Sequence, residues 1–190
     1  ALAILLLTVA TPALANKVYV TNEKGNDVTV IDGDTLEVLG SYPVGNRPRG
    51  ITISPDGTEL YVCASDDDLV RVFDPQTMQE THTLPSGPDP ELFVLSPDGG
   101  RLYIANEDVN LVTVVDTKTH QMLAEIPVGV EPEGMGVSPD GKTVIDINVR
   151  WKKGQTLEPD WKLDGDGWKI TIDGRPTVNM QVGFLPPQDM

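Results

Sequence analysis

The 190 residues include one cysteine, Cys63, which rules out an intrachain disulfide and a cysteine-based zinc cluster. No Cys-x-x-Cys-His run occurs, so covalent c-type haem attachment is excluded as well. Gly-x-Gly-x-x-Gly is missing, and with it the phosphate-binding turn of a dinucleotide fold. So is Gly-x-Ser-x-Gly or any Ser-His-Asp element, which removes the commonest hydrolase chemistry. Positive charge is scarce, with 14 Lys+Arg against 29 Asp+Glu and a formal charge of −15. A phosphate backbone needs a basic footprint, so no nucleic-acid partner is expected; an acidic surface attracts a basic protein instead. The longest apolar run, Leu2–Val9, is too short to span a bilayer.

What is present is a period. Ser54-Pro55-Asp56-Gly57 returns as Ser96-Pro97-Asp98-Gly99 and as Ser138-Pro139-Asp140-Gly141, each 42 residues on. Tyr19, Tyr61 and Tyr103 keep the same spacing, as do Asp32, Asp74 and Asp116, and Pro43, Pro85 and Pro127. Three repeats result: 17–58, 59–100 and 101–142. Each opens with an apolar, β-branched run, turns, and enters a second run ending in aspartate. A third, more polar run follows (36–43, 78–85, 120–127), then a Gly/Pro-rich link and a short fourth run before the Ser-Pro-Asp-Gly turn.

Four short strands per 42 residues, with turn chemistry at each junction, predict one propeller blade per repeat. No stretch of ten residues between the turns carries a 3.6-residue period, which excludes helices there. The polar third run, with its prolines, is expected at the outer edge. The fold class is therefore all-β: a partial β-propeller of about three four-stranded blades with a non-propeller β-hairpin tail.

Two flanks stand outside the repeat. Residues 1–15 end in Ala13-Leu14-Ala15 and read as the remnant of a signal peptide cleaved after Ala15, lacking its basic start and initiator Met. Export to a periplasm is the expectation, with the propeller over 16–143. The tail, 144–190, is unrelated or a divergent fourth blade: it holds all three tryptophans, and the charge of −14 over residues 1–142 falls to −1 over 143–190. Trp168–Asp173 and Thr177–Phe184 are expected strands of a hairpin turning at Gly174-Arg175-Pro176. Three repeats do not close a ring. Either the chain is a fragment, copies associate as a homo-oligomer, or the tail completes it; the tail lacks the repeat's motifs.

Tyr19-Val20-Thr21-Asn22 and its variants Tyr61-Val62-Cys63-Ala64 and Tyr103-Ile104-Ala105-Asn106 resemble the YVTN β-propeller repeat family. The links Arg47-Pro48-Arg49-Gly50, Pro88-Asp89-Pro90-Glu91 and Val130-Glu131-Pro132-Glu133 look like the exported propeller associated with PQQ-dependent catabolism. That resemblance implies a non-catalytic periplasmic binding or scaffold module beside a quinoprotein dehydrogenase system, with no catalytic residues to carry over. Residues 145–190 are similar to part of an NAD(P)-dependent amine dehydrogenase related to dihydrodipicolinate reductase, a resemblance carried by Gly167–Val178. Two other readings stay open: a fragment of an oxidoreductase, and a cell-surface repeat protein.

Equivalent link positions line one rim of a propeller, and their charges vary on a constant frame, as expected of a site on a repeated scaffold. Arg47, Arg49, Asp89, Glu91, Glu131 and Glu133 are the candidate rim for a polar ligand or basic partner. No catalytic residue, cofactor or metal site is assigned. Asp66-Asp67-Asp68 and Asp164-Gly165-Asp166-Gly167 miss calcium-loop spacing and read as polar turns. His82 and His120 sit at non-equivalent repeat positions and read as surface histidines, and Cys63 as a buried, inert thiol.

Overall fold

The computed structural model describes residues 16–146 and the backbone of 147, 159–164, 167–172, 175–178 and 182–184. Strands account for nearly all of it. The first sheet runs β1 (Lys17–Asn22), β2 (Asp27–Asp32), β3 (Val38–Pro43). The second is β4 (Pro48–Ile53), β5 (Leu60–Ala64), β6 (Leu69–Phe73), β7 (Glu80–Pro85), and the third β8 (Pro90–Leu95), β9 (Arg101–Asn106), β10 (Leu111–Asp116), β11 (Met122–Pro127). All neighbours are antiparallel, in sequence order. Among the described residues, no helix is long and apolar enough to cross a membrane.

The sheets are offset from the sequence repeat by one strand. The fourth run of each repeat, Pro48–Ile53 or Pro90–Leu95, is the inner strand of the next sheet. Each repeat thus hands a strand to its neighbour, and β4, β8 and β12 (Gly134–Val137) pack side by side about the axis. The polar strands β3, β7 and β11 take the outer edge, as the sequence predicts.

Alternation along each strand sends one set of side chains to each neighbouring sheet. The first sheet presents Val28, Val30 and Val44 to Leu60, Val62, Phe73 and Met78 of the second. The second presents Tyr61, Cys63, Val70, Val72 and Leu84 to Leu95, Leu102, Ile104 and Val115 of the third. Strands buried on both faces read as continuous apolar runs, and Leu60–Ala64 is buried at every position. Each fully buried aliphatic side chain contributes roughly 1.5–3 kcal/mol, so the repeat coheres through these interfaces.

The Ser-Pro-Asp-Gly turns are built alike. Gly57, Gly99 and Gly141 take φ of +73°, +71° and +70°, and their N–H groups donate to Ser54, Ser96 and Ser138 carbonyls at 2.9, 2.8 and 2.8 Å. Each serine hydroxyl donates to the aspartate two residues on (2.6, 2.5 and 2.6 Å), which holds all three aspartates below the usual carboxylate range.

Past the third repeat the pattern departs. β12 pairs with β13 (Thr143–Ile147), but the third place in that sheet belongs to β17 (Val182–Phe184). Between them β14 (Pro159–Asp164), β15 (Gly167–Ile172) and β16 (Arg175–Val178) form a separate antiparallel sheet. The expected tail hairpin is present as β15–β16, with Arg175 and Pro176 inside β16 rather than in the turn, and with β17 split off from it. The signal-like segment, residues 1–15, lies outside the described residues.

Candidate functional site

The links leading into the inner strands repeat one backbone device. Asn26, Asp68 and Asn110 each adopt a left-handed conformation, at the β1–β2, β5–β6 and β9–β10 turns respectively. Their side-chain oxygens accept the N–H groups of Arg47, Asp89 and Glu131 at 2.9, 3.0 and 2.9 Å. Those three residues are themselves left-handed, at φ of 50°, 50° and 57°. Non-glycine residues adopt this conformation at a cost, so each is held by the bond from the preceding turn. The frame is constant and the side chain it presents is arginine, aspartate or glutamate.

Arg47, Arg49, Asp89 and Glu91 come together. Arg47 donates from Nη1 to Asp89 Oδ1 at 2.6 Å and from Nη2 to Glu91 Oε1 at 2.9 Å. Arg49 Nη2 pairs with Glu91 Oε2. Glu23 Oε1 ties the two arginines from the first sheet, at 3.2 Å from Arg47 Nε and 3.2 Å from Arg49 Nη1. Glu91 is wholly buried (0% exposed) while both guanidiniums stay partly in solvent. Burial raises the Glu91 carboxyl to about 7, against the pull of Arg49 and Arg47. The hydrogen bonds of those arginines hold exposed Glu23 low. Glu131 and Glu133 occupy the matching places one blade on, exposed to solvent.

The sequence did not single out Glu23 and Glu107. Carboxylate oxygens of Asp89, Glu91 and Glu107 lie within 4.8 Å of one another. Arg47 and Arg49 supply the countercharge that such a cluster requires. The signal was legible in the repeat, since Glu23, Ser65 and Glu107 share one position and adjoin the rim. At the middle position Ser65 instead donates its hydroxyl to Pro90 O at 2.5 Å.

His82 and His120 are brought together, contrary to their reading as independent surface residues. Their rings stack with centroids 4.1 Å apart and planes within 3°. His82 lies on the outer strand β7, and His120 in the left-handed turn before β11 rather than in the strand itself. His82 Nε2 is 4.0 Å from Glu59 Oε1, and Tyr61 donates to Glu59 Oε2 at 2.5 Å. Burial and the neighbouring His120 lower the His82 pKa, with Glu59 opposing. Beside them opens a cleft of about 500 Å³ lined in part by Asp56, Glu59, Lys118 and His120.

The remaining sequence candidates have structural explanations. Asp67 accepts from Asn46 and Arg71, and Asp68 is the latch for Asp89, so this run serves as a polar turn. The Asp164–Gly167 run falls partly outside the described residues. Cys63 is fully buried, and burial pushes its thiol well up.

No curated protein matches the chain. Among solved structures it is similar to the Kuenenia stuttgartiensis hydrazine synthase, with 28% identity and a TM-score of 0.67 over 88% of this chain. The chain spans 46% of that protein's chain, less than half its length. A family profile described as lactonase, 7-bladed β-propeller, matches residues 14–126, and with more than half of its length so matched the chain belongs to that propeller family.

Proposed function

We propose that the chain is a non-catalytic, exported binding module whose surface for a cationic partner is the rim around Arg47, Arg49 and Glu91. One observation carries the reading: the rim's positive charge is consumed internally. Arg47 and Arg49 are paired with Glu23, Asp89 and Glu91, and Asp66 lies a further 3.9 Å from Arg47. Carboxylates outnumber guanidiniums, and Glu131 and Glu133 extend the acidic arc. Such a surface attracts a basic patch and repels an anionic ligand. The setting, beside PQQ-dependent alcohol oxidation in a periplasm, is supported by the resemblance of the rim links and by the signal-like residues 1–15.

Immobilised full chain titrated with a purified quinoprotein alcohol dehydrogenase and its cytochrome tests this. Saturable binding that weakens with salt, and weakens further in Glu133→Lys, is the expected result. No binding to either protein, or binding indifferent to Glu133→Lys, sinks the proposal.

The family description and the Glu91 carboxyl near 7 favour one second reading, lactone hydrolysis. Glu91 would act as general base, water adding to the lactone carbonyl and the ring C–O bond breaking to give a hydroxy acid. Both Glu91 oxygens face arginines and the side chain has no solvent exposure, which disfavours it. Hydroxy-acid release from γ- and δ-lactones, abolished in Glu91→Gln, would replace the binding reading with this one.

A further inference from the structure

Two neighbouring blade interfaces are closed by different chemistry at the same place in the repeat. His120, in the turn ahead of β11, corresponds to Met78 ahead of β7 and to Leu36 ahead of β3. All three are left-handed, at φ of 60°, 56° and 62°, so the backbone presents each side chain alike. Between the first and second sheets that side chain is neutral: Met78 is 9% exposed and belongs to the core cluster of Val30, Val44 and Leu60. The counterpart of His82 on the first sheet is Gly40. Between the second and third sheets both places hold an imidazole, and the two rings lie 4.1 Å apart, face to face.

The surroundings favour the neutral pair. Thr81 Oγ1 lies 3.0 Å from His82 Nδ1, while the buried Nε2 has no hydrogen-bond partner among the described residues. The nearest carboxylate, Glu59, stands 4.0 Å from that Nε2 and is already engaged by the Tyr61 hydroxyl. Asp56 from the second sheet and Asp98 and Lys118 from the third line the cleft beside His120. Ser54 and Thr58 occupy Asp56, Ser96 and the Gly100 N–H occupy Asp98, and Glu80, on the same strand as His82, is held by Arg71 at 2.8 Å. Glu59 can therefore balance one imidazolium, and a second would face the first across the interface. Burial and His120 together hold the His82 pKa down, with Glu59 opposing. Tyr61 links this edge to the interface core, where Cys63 lies in one cluster with Leu95, Leu102 and Ile104.

We infer that the His82–His120 stack is an acid-sensitive latch between the second and third sheets: two neutral rings hold the outer edge closed, and protonation of both parts the sheets there and opens the core around Cys63. Histidine gains its charge in the mildly acid range, and two like charges in contact disfavour the packed arrangement. The contact between the first and second sheets, closed by Met78, lacks the device.

Cys63, the one thiol and fully buried, reports the opening without modification of the chain. The full chain is labelled with dithiodipyridine, which reacts in acid, and each rate is divided by that of the urea-unfolded chain at the same pH, removing the thiol's own titration. The normalised rate should rise about tenfold between pH 8 and 5 while far-UV circular dichroism stays constant. His120→Met, which installs the side chain found one blade earlier on the same left-handed backbone, should flatten the rise. Should that variant fail to fold, His82→Asn is expected to flatten it equally. Glu59→Gln keeps an acceptor for Tyr61 but removes the opposing carboxylate, and should enlarge the rise. A normalised rate that is flat in the wild type, a rise that persists in the histidine variants, one that Glu59→Gln diminishes, or one that tracks loss of the circular dichroism signal would each overturn the latch.

Discussion

Glu91 ties the rim's electrostatics to stability. Its carboxyl has no solvent exposure and lies between two arginines, yet burial holds its pKa at about 7, above the 4.5 of an unfolded chain. A carboxyl raised on folding binds its proton more tightly in the native state. It therefore contributes stability that is complete below about pH 4.5 and is lost as pH rises through 7. At about 1.4 kcal/mol per unit, the two and a half units give roughly 3 kcal/mol as the upper end of the change. Glu91→Gln keeps the shape and removes the titration. Urea unfolding followed by far-UV circular dichroism across this range should show the wild type losing stability relative to the variant as pH rises, with an unchanged m-value. A difference that is flat from pH 5 to 8 and opens only in acid would refute the reasoning. It would mean that the two guanidiniums keep Glu91 ionised throughout.

His82 titrates with the opposite sign. His82 is held below 6.5, so its contribution is full above that value and fades as pH falls through the lowered pKa; in His82→Asn that acid-side loss should disappear from unfolding curves. The turn glycines separate conformation from crowding. Gly57→Ala meets nothing within 4 Å and should cost only the left-handed penalty of about 1 kcal/mol, whereas Gly99→Ala puts a Cβ 3.0 Å from Pro55 Cδ and should cost measurably more in the same denaturation assay. Equivalent core positions should also differ. Leu102→Ala, fully buried between two sheets, is expected to cost about 2–5 kcal/mol, and Val18→Ala, 47% exposed, far less in the same assay.

The blades were legible because the physics that makes them is local. Ser-Pro-Asp-Gly forces a turn by its own geometry, and the polar runs identify the outer edge without any tertiary information. The one-strand offset was not legible. Nothing in Pro48–Ile53 itself says whether it pairs back onto β3 or forward onto β5. For the rim, equivalent positions placed Arg47, Arg49, Asp89 and Glu91 on one edge, and the structure joins them. The histidine contact escaped because neighbouring sheets meet through different columns of the repeat. The turn position of His120 in one blade lies against the strand position of His82 in the blade before. Comparing like with like keeps such pairs apart.

The most direct measurement of the binding account is an equilibrium titration of the chain with a quinoprotein alcohol dehydrogenase, repeated with Glu131→Lys and Glu133→Lys. The account predicts saturable association that falls steeply with ionic strength and is weakened by each charge reversal. Affinity that is independent of salt and unchanged in both variants would contradict it, and would move the function away from the rim.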